Sequence, residues 1–152
     1  MLIVLLALAG CGSSASTQTI TGDGYTFTAP GGWAVVPTPR GMAASSGAVD
    51  RVEVVRFRLV RSYRPALFRS VSRELDGVAH RLAAQLGGRV RAAATVDVAG
   101  RRARSYRIAY GDKVQQITFV LDGSREYQLL CRREAGKSDS ACRGLTAGFS
   151  IG

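Results

Sequence analysis

Apolar and polar residues alternate along most of this chain, in short segments separated by turn residues. The alternation predicts strands at residues 25–28, 33–36, 52–60, 89–98, 101–110, 113–121 and 126–132. Asp122-Gly123-Ser124 is a turn of a kind favoured in β-hairpins. Residues 37–47 are rich in Pro, Gly and Ser and are predicted to form a loop. Strands with this pattern suit an antiparallel sheet that buries one of its sides.

One segment, residues 65–86, has a helical period instead. Its apolar side chains recur at spacings of three and four, and they are Leu67, Phe68, Val71, Leu75, Val78, Leu82 and Leu86. Pro65 suits the first turn of a helix, and Gly87-Gly88 can end it. A helix with such an apolar stripe must pack on a sheet or on another helix.

The order of these elements predicts an α+β fold, a curved antiparallel β-sheet with one long amphipathic helix and a short C-terminal helix packed on it. Ser138 can cap the C-terminal helix, which contains Ala141, Leu145 and Phe149. The composition, 46% hydrophobic and 21% charged, is that of a folded domain. We find no repeat and no second boundary, so residues 23–152 are predicted to be one domain.

The N-terminus begins with an uncharged apolar segment, residues 1–9. As a helix it would be about 14 Å long, whereas a bilayer core is about 30 Å thick, so it cannot span a membrane. Its length fits the apolar region of a signal peptide. Signal peptides normally carry Lys or Arg before that region. This chain has neither residue there, which indicates either a start codon upstream or missing first residues.

The residues that follow, Leu8-Ala9-Gly10-Cys11, resemble the lipobox of bacterial lipoproteins. The resemblance implies that residues 1–10 are a signal peptide and that Cys11 becomes a lipid-modified N-terminus. The protein would then be held at the outer face of a membrane, because two or more acyl chains anchor stably. Residues 11–22 are small and polar and are predicted to be a flexible tether. The competing interpretation is a buried strand that ends in a chance cysteine.

Two further cysteines, Cys131 and Cys142, are predicted to form a disulfide, because export places them in an oxidising compartment. Closing so short a loop would stabilise the fold by about 3 kcal/mol. Free thiols and a metal site are the alternatives. A metal needs more ligands than are visible, since the single histidine, His80, lies far along the chain.

The formal net charge is +10, and nearly all of the basic residues are arginine. Such a charge attracts anionic lipid headgroups, anionic envelope polymers or nucleic acid. A solvated surface, enriched in arginine by GC-rich codon usage, is the simpler interpretation. Nucleic acid is not expected, because an exported protein rarely meets it and no recognition motif is present. The residues that could form a basic patch are Arg101, Arg102, Arg104, Arg132 and Arg133.

Catalytic chemistry finds little support in the sequence. A nucleophile system would depend on His80 alone, at the edge of the helix stripe. Acidic residues are sparse, and neither a phosphate-binding loop nor a metal-ligand cluster occurs. Trp33 is either a ligand-stacking aromatic or, as we favour, a side chain at the rim of the core. We therefore expect no enzyme, no cofactor and no metal.

Taken together, the pieces resemble the PsbP-like and Mog-type (Ran-binding protein-like) fold, and in particular small actinobacterial lipoproteins that share it. The motifs that carry the resemblance are Tyr25-Thr26-Phe27, Pro30-Gly31-Gly32-Trp33, a helix ending at Gly87-Gly88, Val98-Ala99-Gly100-Arg101 with Tyr106, the strand from Tyr127 to Cys131, and Phe149-Ser150. The resemblance implies an αβα arrangement around an antiparallel sheet. It also implies noncatalytic binding or assembly roles.

We expect a noncatalytic binding or assembly module of the cell envelope, with the membrane as one partner through its lipid. An anionic envelope polymer or another envelope protein would be the second partner. The alternative is a carrier or sensor of a small ligand held in a cleft between helix and sheet. A hydrolase with an unrecognised site ranks third.

Overall fold

The computed structural model describes residues 15–152, which form ten strands and two α-helices. The predicted signal peptide and the lipid site at Cys11 lie outside this range. The strands are β1 (Thr17–Gly22), β2 (Tyr25–Pro30), β3 (Ala34–Thr38), β4 (Gly41–Ser46), β5 (Asp50–Arg58), β6 (Arg89–Val98), β7 (Arg101–Tyr110), β8 (Lys113–Asp122), β9 (Arg125–Glu134) and β10 (Ser150–Ile151). The helices are α1 (Phe68–Gln85), which follows a single 3-10 turn at Pro65–Leu67, and α2 (Ser140–Ala147).

The strands form two antiparallel sheets. Seven of them run in the order β3-β4-β5-β9-β8-β7-β6, and the remaining three in the order β1-β2-β10. The predicted α+β class with one long and one short helix is thus confirmed, and the small second sheet is an addition to it. Neither helix within residues 15–152 is long and apolar enough to cross a membrane.

Helix α1 covers one face of the large sheet, over β6 and β7. Ala79 and Ala83 are buried against a sheet surface that includes Tyr106 and Ile108. Small side chains let the helix approach the sheet closely, and the larger members of the predicted stripe flank them. Leu67 departs from the prediction, because it precedes α1 and is 47% exposed.

The opposite face of the large sheet is covered by the small sheet and α2. Tyr25 on β2 packs against Tyr127 on β9 and against Phe149, with ring centroids 5.8 and 6.2 Å away. The Tyr25 hydroxyl also donates a hydrogen bond to the Val54 carbonyl of β5, at 3.1 Å. This contact satisfies a polar atom that the aromatic packing would otherwise bury unpaired.

Part of the predicted tether belongs to the folded domain. Residues Thr17–Gly22 are strand β1, which pairs with β2 along its whole length. Ile20 is buried in the core, and the threonines around it favour extended backbone. The small polar composition concealed this alternation, so the predicted domain start at residue 23 is several residues too late.

The predicted loop at residues 37–47 is also largely extended. It contains the end of β3 and all of β4, joined by a turn at Pro39-Arg40. Pro37 is tolerated because β3 is an edge strand. Ala43 and Ala44 are fully buried, but alanine and serine side chains leave no clear hydrophobic pattern in a sequence.

The C-terminal helix ends earlier than predicted, at Ala147, so Phe149 lies beyond it. The chain turns at Gly148, where a Cβ atom would lie 2.2 Å from the Thr28 hydroxyl, and its last strand pairs with β2. This close approach lets the buried Phe149 side chain reach the aromatic cluster.

Cys131 on β9 and Cys142 on α2 form a disulfide, with their Cα atoms 5.3 Å apart. The predicted pairing is therefore confirmed. Both residues are buried in the core between the sheet and α2. The bond ties the last helix to the sheet face that it covers.

A polar network ties α1 to the sheet face that it covers. Asp76 of α1 accepts a hydrogen bond from the Tyr106 hydroxyl at 2.6 Å and another from Arg104 Nε at 3.0 Å. The tyrosine hydrogen bond is the first cause of a lowered pKa of the Asp76 carboxyl, ahead of the Arg104 contact. Burial and the same hydrogen bond raise the pKa of Tyr106, so it stays a donor at all working pH values.

We expect the double variant Cys131→Ala/Cys142→Ala to lose about 3 kcal/mol of unfolding free energy, because the unfolded chain regains the entropy of the open loop. Urea unfolding of the variant and the oxidised protein measures the difference. Reduced wild-type protein is the control and should match the variant within about 1 kcal/mol. Equal stability of the oxidised and reduced proteins would contradict the structural role of the bond.

Tyr106→Phe should lower the free energy of unfolding by about 1 kcal/mol at pH 7. Water screens the hydrogen bond and keeps this value small, because the Asp76 side chain is 40% exposed. The Asp76 pKa is lower in the folded protein than its ordinary 3.8. The contribution of ionised Asp76 to the free energy of unfolding is therefore fully present above pH 3.8. It is lost as the pH falls through the pKa that Asp76 has in the folded protein. Urea unfolding at pH 7 and in strong acid measures both effects.

Tyr110→Phe is the matched control, because its hydroxyl makes only a 3.5 Å contact to the neutral Gln115 side chain. Its small effect should not change with pH. If Tyr106→Phe destabilised the protein equally in acid and at pH 7, the hydrogen bond to an ionised Asp76 would be refuted.

Candidate binding site

A basic cleft lies at one end of the large sheet, where four turns and strand ends meet. It consists of two adjoining hollows of about 520 and 410 Å³ that share Arg56 as a wall. The β1–β2 turn and the β3–β4 turn line the first hollow, and the ends of β5 and β9 line the second. Its charged residues are Arg40, Arg56, Arg58, Arg125 and Asp23.

Arg56 is held in place by the β1–β2 turn. Its Nη1 donates to the Asp23 carbonyl at 2.7 Å, and its Nη2 pairs with the Asp23 carboxylate. The Arg56 side chain is 28% exposed, whereas the Asp23 side chain is 83% exposed. The turn thus orients the guanidinium, while water screens the carboxylate that it pairs with.

Arg58 and Arg125 are direct cross-strand partners at the ends of β5 and β9. Side chains in this position share one face of the sheet, and two like charges there repel each other. Within residues 15–152, neither guanidinium forms a salt bridge. The fold therefore holds two positive charges side by side, and the Asp23 and Asp122 carboxylates act on Arg125 without forming a salt bridge to it.

The guanidinium groups of Arg56 and Arg125 converge above Gly24. A Cβ atom at this glycine would lie 3.3 Å from Nη1 of Arg125 and 3.5 Å from Nη1 of Arg56. Gly24 also has a φ of +76°, which side chains of L-residues rarely adopt. A glycine here both makes the turn and leaves room for the two guanidinium groups.

Arg40 lines the first hollow, on the β3–β4 turn. Its guanidinium lies 4.8 Å from the centre of the Phe57 ring, a cation–π contact that leaves its N–H groups open to other partners. The backbone N–H of Arg56 donates to the Arg40 carbonyl at 3.0 Å, which fixes this turn to β5.

Two buried tyrosines lie behind the arginines. Burial is the first cause of a raised pKa of Tyr25, which keeps its hydroxyl protonated. The Tyr127 hydroxyl is buried and makes no hydrogen bond of normal geometry to the described residues. Arg125 lies beside it, and the hydroxyl is the first cause of a raised pKa of that guanidinium. The adjacent guanidinium can donate to the hydroxyl oxygen, which accounts for a polar atom at this buried position.

With four guanidinium groups and one exposed carboxylate, the basic cleft can bind an anion through charge-assisted hydrogen bonds. Its lining has no nucleophile next to a general base. Among residues 15–152, no cluster of three His, Cys, Asp or Glu side chains is placed to hold a metal ion.

The predicted basic patch is divided between the two faces of the sheet. Arg101 forms a salt bridge with Asp122 at 2.9 Å, and Arg104 binds Asp76. Arg102 stacks over Phe68, 4.4 Å from the ring centre.

The other two arginines of the predicted patch point to opposite sides of β9. Arg132 donates to the Val49 carbonyl at 2.9 Å. Arg133 donates to the carbonyls of Glu134 and Lys137. These five guanidinium groups do not meet at one site, and an anion-binding role for them stays a prediction.

Sequence reasoning passed over the basic cleft, although one signal was present. Arg56 and Arg58 are two residues apart on a strand, so they share a face, and Arg125 begins the strand that pairs there. The contribution of Arg40 has no such signal, because the segment around it was predicted as loop.

A second cleft, of about 420 Å³, lies between α1 and the sheet. Its walls are mainly apolar and include Val71, Val78 and Leu121, with the carboxylates of Glu74 and Glu126 among its polar groups. Burial raises the pKa of Tyr63, which also lines it. A small ligand held between helix and sheet, the alternative predicted from the sequence, would lie in this cleft.

Two single residues considered in the sequence lie outside both clefts. His80 is exposed on α1, one turn from Asp76. Trp33 is half-buried at the rim of the core, and Gln18 donates to its carbonyl at 2.8 Å. This position agrees with the interpretation of Trp33 as a rim residue.

The sequence matches no family model and no curated protein. Solved structures do resemble it. The solution structure of cyanobacterial PsbP (CyanoP) from Synechocystis sp. PCC 6803 superposes with a TM-score of 0.65 and 16% identity, over 95% of this chain and 99% of that one. A protein from Bacteroides thetaiotaomicron VPI-5482 gives 0.58 and 10% identity.

The alignment with the Bacteroides protein covers 85% of this chain but only 45% of that protein, so the chain spans less than half of its length. Identities this low carry information on fold and none on activity. On this evidence the chain has a PsbP-like fold.

Proposed function

We propose that this chain is a lipid-anchored protein of the cell envelope, held at the outer face of a membrane through Cys11, and that its domain is a noncatalytic binding module. The basic cleft is the observation that carries the binding role. It combines four guanidinium groups with a recess large enough for a small anionic group. The partner would be an anionic envelope polymer or an acidic surface of another envelope protein.

The close placement of two arginines supports a binding role for the cleft. Lack of a salt bridge alone does not, because exposed arginines of α1 such as Arg69 and Arg73 also form none within residues 15–152. Arg101 and Arg104 are neutralised by carboxylates, as expected where charge serves only the fold. Arg58 and Arg125 instead face each other with no carboxylate between them. Like charges held together in this way lower stability, and an anionic partner would offset that cost.

The alternative function is a carrier or sensor of a small ligand in the cleft between α1 and the sheet. The mainly apolar walls of that cleft and its volume of about 420 Å³ support it. A ligand there would have an apolar body, together with a hydrogen-bonding group that reaches Glu74, Glu126 or Tyr63.

We expect Cys11→Ala to abolish labelling with radiolabelled palmitate and to move the protein from the membrane fraction to the soluble one, because no other residue of the lipobox has a thiol. Cys142→Ala is the control: a cysteine is also lost, yet labelling should persist. A Cys11→Ala protein that still incorporates palmitate would show that the lipobox interpretation is wrong.

A photo-crosslinking residue at Ser124, in the wall of the basic cleft, should capture an acidic polymer or protein in the native membrane. The same residue at Ser70, exposed on α1, is the matched control and should capture much less. A third position, Ser62, lines the cleft between α1 and the sheet, and selective capture there would favour the alternative. Equal capture at all three positions would contradict both functions.

A further inference from the structure

We propose that the part of the basic cleft formed by Arg56, Arg58 and Arg125 is a binding site for a tetrahedral oxyanion of the phosphate class, either free phosphate or a terminal phosphate monoester. The proposal rests on the proposed function, because it names the chemical group that the basic cleft recognises.

The number and arrangement of donors favour a phosphate over a carboxylate. A carboxylate is satisfied by one guanidinium, which binds both of its oxygens in a single plane. Here Arg58 and Arg125 stand side by side, and Arg56 adds a third guanidinium on the same face of the sheet. Arg56 already contacts Asp23, and the three guanidinium groups together offer more N–H donors than one carboxylate needs. They match an anion with three terminal oxygens and up to two negative charges.

The geometry brings two of the three donors, Arg56 and Arg125, close to one point. The Nη1 atoms of Arg56 and Arg125 already converge above Gly24, in a position that any larger residue would fill. The turn contacts to Asp23 hold Arg56 there. A site whose donors are preorganised by the fold loses little entropy when it binds its ligand.

The Tyr127 hydroxyl lies behind the site and contacts it through Arg125. It is fully buried beside Arg125 and lacks a hydrogen bond of normal geometry within residues 15–152. One N–H of the Arg125 guanidinium can donate to this hydroxyl oxygen, which leaves its other N–H groups to face the anion. Ser124, in the same wall, offers a further hydroxyl donor to the anion.

The test measures binding of inorganic phosphate by the full-length lipidated protein in nonionic detergent, by titration calorimetry at fixed ionic strength. The site variant is Arg58→Gln/Arg125→Gln, and the matched control is Arg69→Gln/Arg73→Gln, which removes the same charge from the exposed side of α1. We expect the site variant to lose about tenfold or more in affinity, and the control to change by about twofold at most.

Vesicles separate the two sources of the phosphate group. Protein anchored in phosphatidylcholine vesicles should bind added inorganic phosphate if the natural ligand is free. If it is a headgroup, phosphatidic acid in the same vesicles should protect the cleft from chemical modification of its arginines and compete with inorganic phosphate. Either result supports the proposal, provided that the site variant abolishes it.

Stability without a ligand distinguishes a binding site from a structural cluster. Because Arg58 and Arg125 repel each other, the site variant should unfold at the same or a higher urea concentration than the wild type. Phosphate should raise the unfolding temperature of the wild type and of the control but not of the site variant.

Two outcomes would overturn the proposal. One is failure of the wild type to bind phosphate in either form, and the other is an equal loss of affinity in both double variants. Neither outcome bears on the lipid anchor, which Cys11→Ala tests, or on capture from Ser124. If the crosslinking residue at Ser124 still captured a partner while no phosphate bound, the proposed binding role would stand and only the phosphate class of ligand would be excluded.

Discussion

The centre of the large sheet is buried on both of its faces, and the remaining elements are arranged to cover it. Residues 117–121 of β8 are buried without interruption, so side chains that point in opposite directions are both removed from water. Even Thr118 is fully buried, with its hydroxyl 2.9 Å from that of Ser105. Such a strand requires a packed layer on each side.

A single long helix can supply only one of these layers. The chain builds the other from its two ends, with β1 and β2 at the N-terminal side and α2 and β10 at the C-terminal side. The Cys131–Cys142 bond and the aromatic cluster of Tyr25, Tyr127 and Phe149 hold this layer in position. The layer therefore depends on contacts between residues that are far apart in sequence.

The same arrangement creates the basic cleft. When β1 and β2 lie across the sheet, their connecting turn is brought to the ends of β5 and β9. It meets four arginines there, of which Arg58 and Arg125 have no carboxylate partner in the described part of the chain. Elsewhere in residues 15–152 some arginines, such as Arg101 and Arg104, form salt bridges, and others, such as Arg69, are exposed without one. The candidate site is thus a product of layer packing and not of a local motif.

The sequence by itself determined the α+β class, helix α1, the four-stranded meander and the cysteine pair, because these follow from hydrophobic period, turn residues and cysteine chemistry within short stretches. It did not reveal β1 or β4, where threonine, alanine and serine give too little contrast between buried and exposed positions. Only the tertiary structure decided which arginines share a surface. A side chain such as Arg40 has neighbours from turns that are distant in the sequence. The periodic pattern of one segment carries no information about which other segments it will contact.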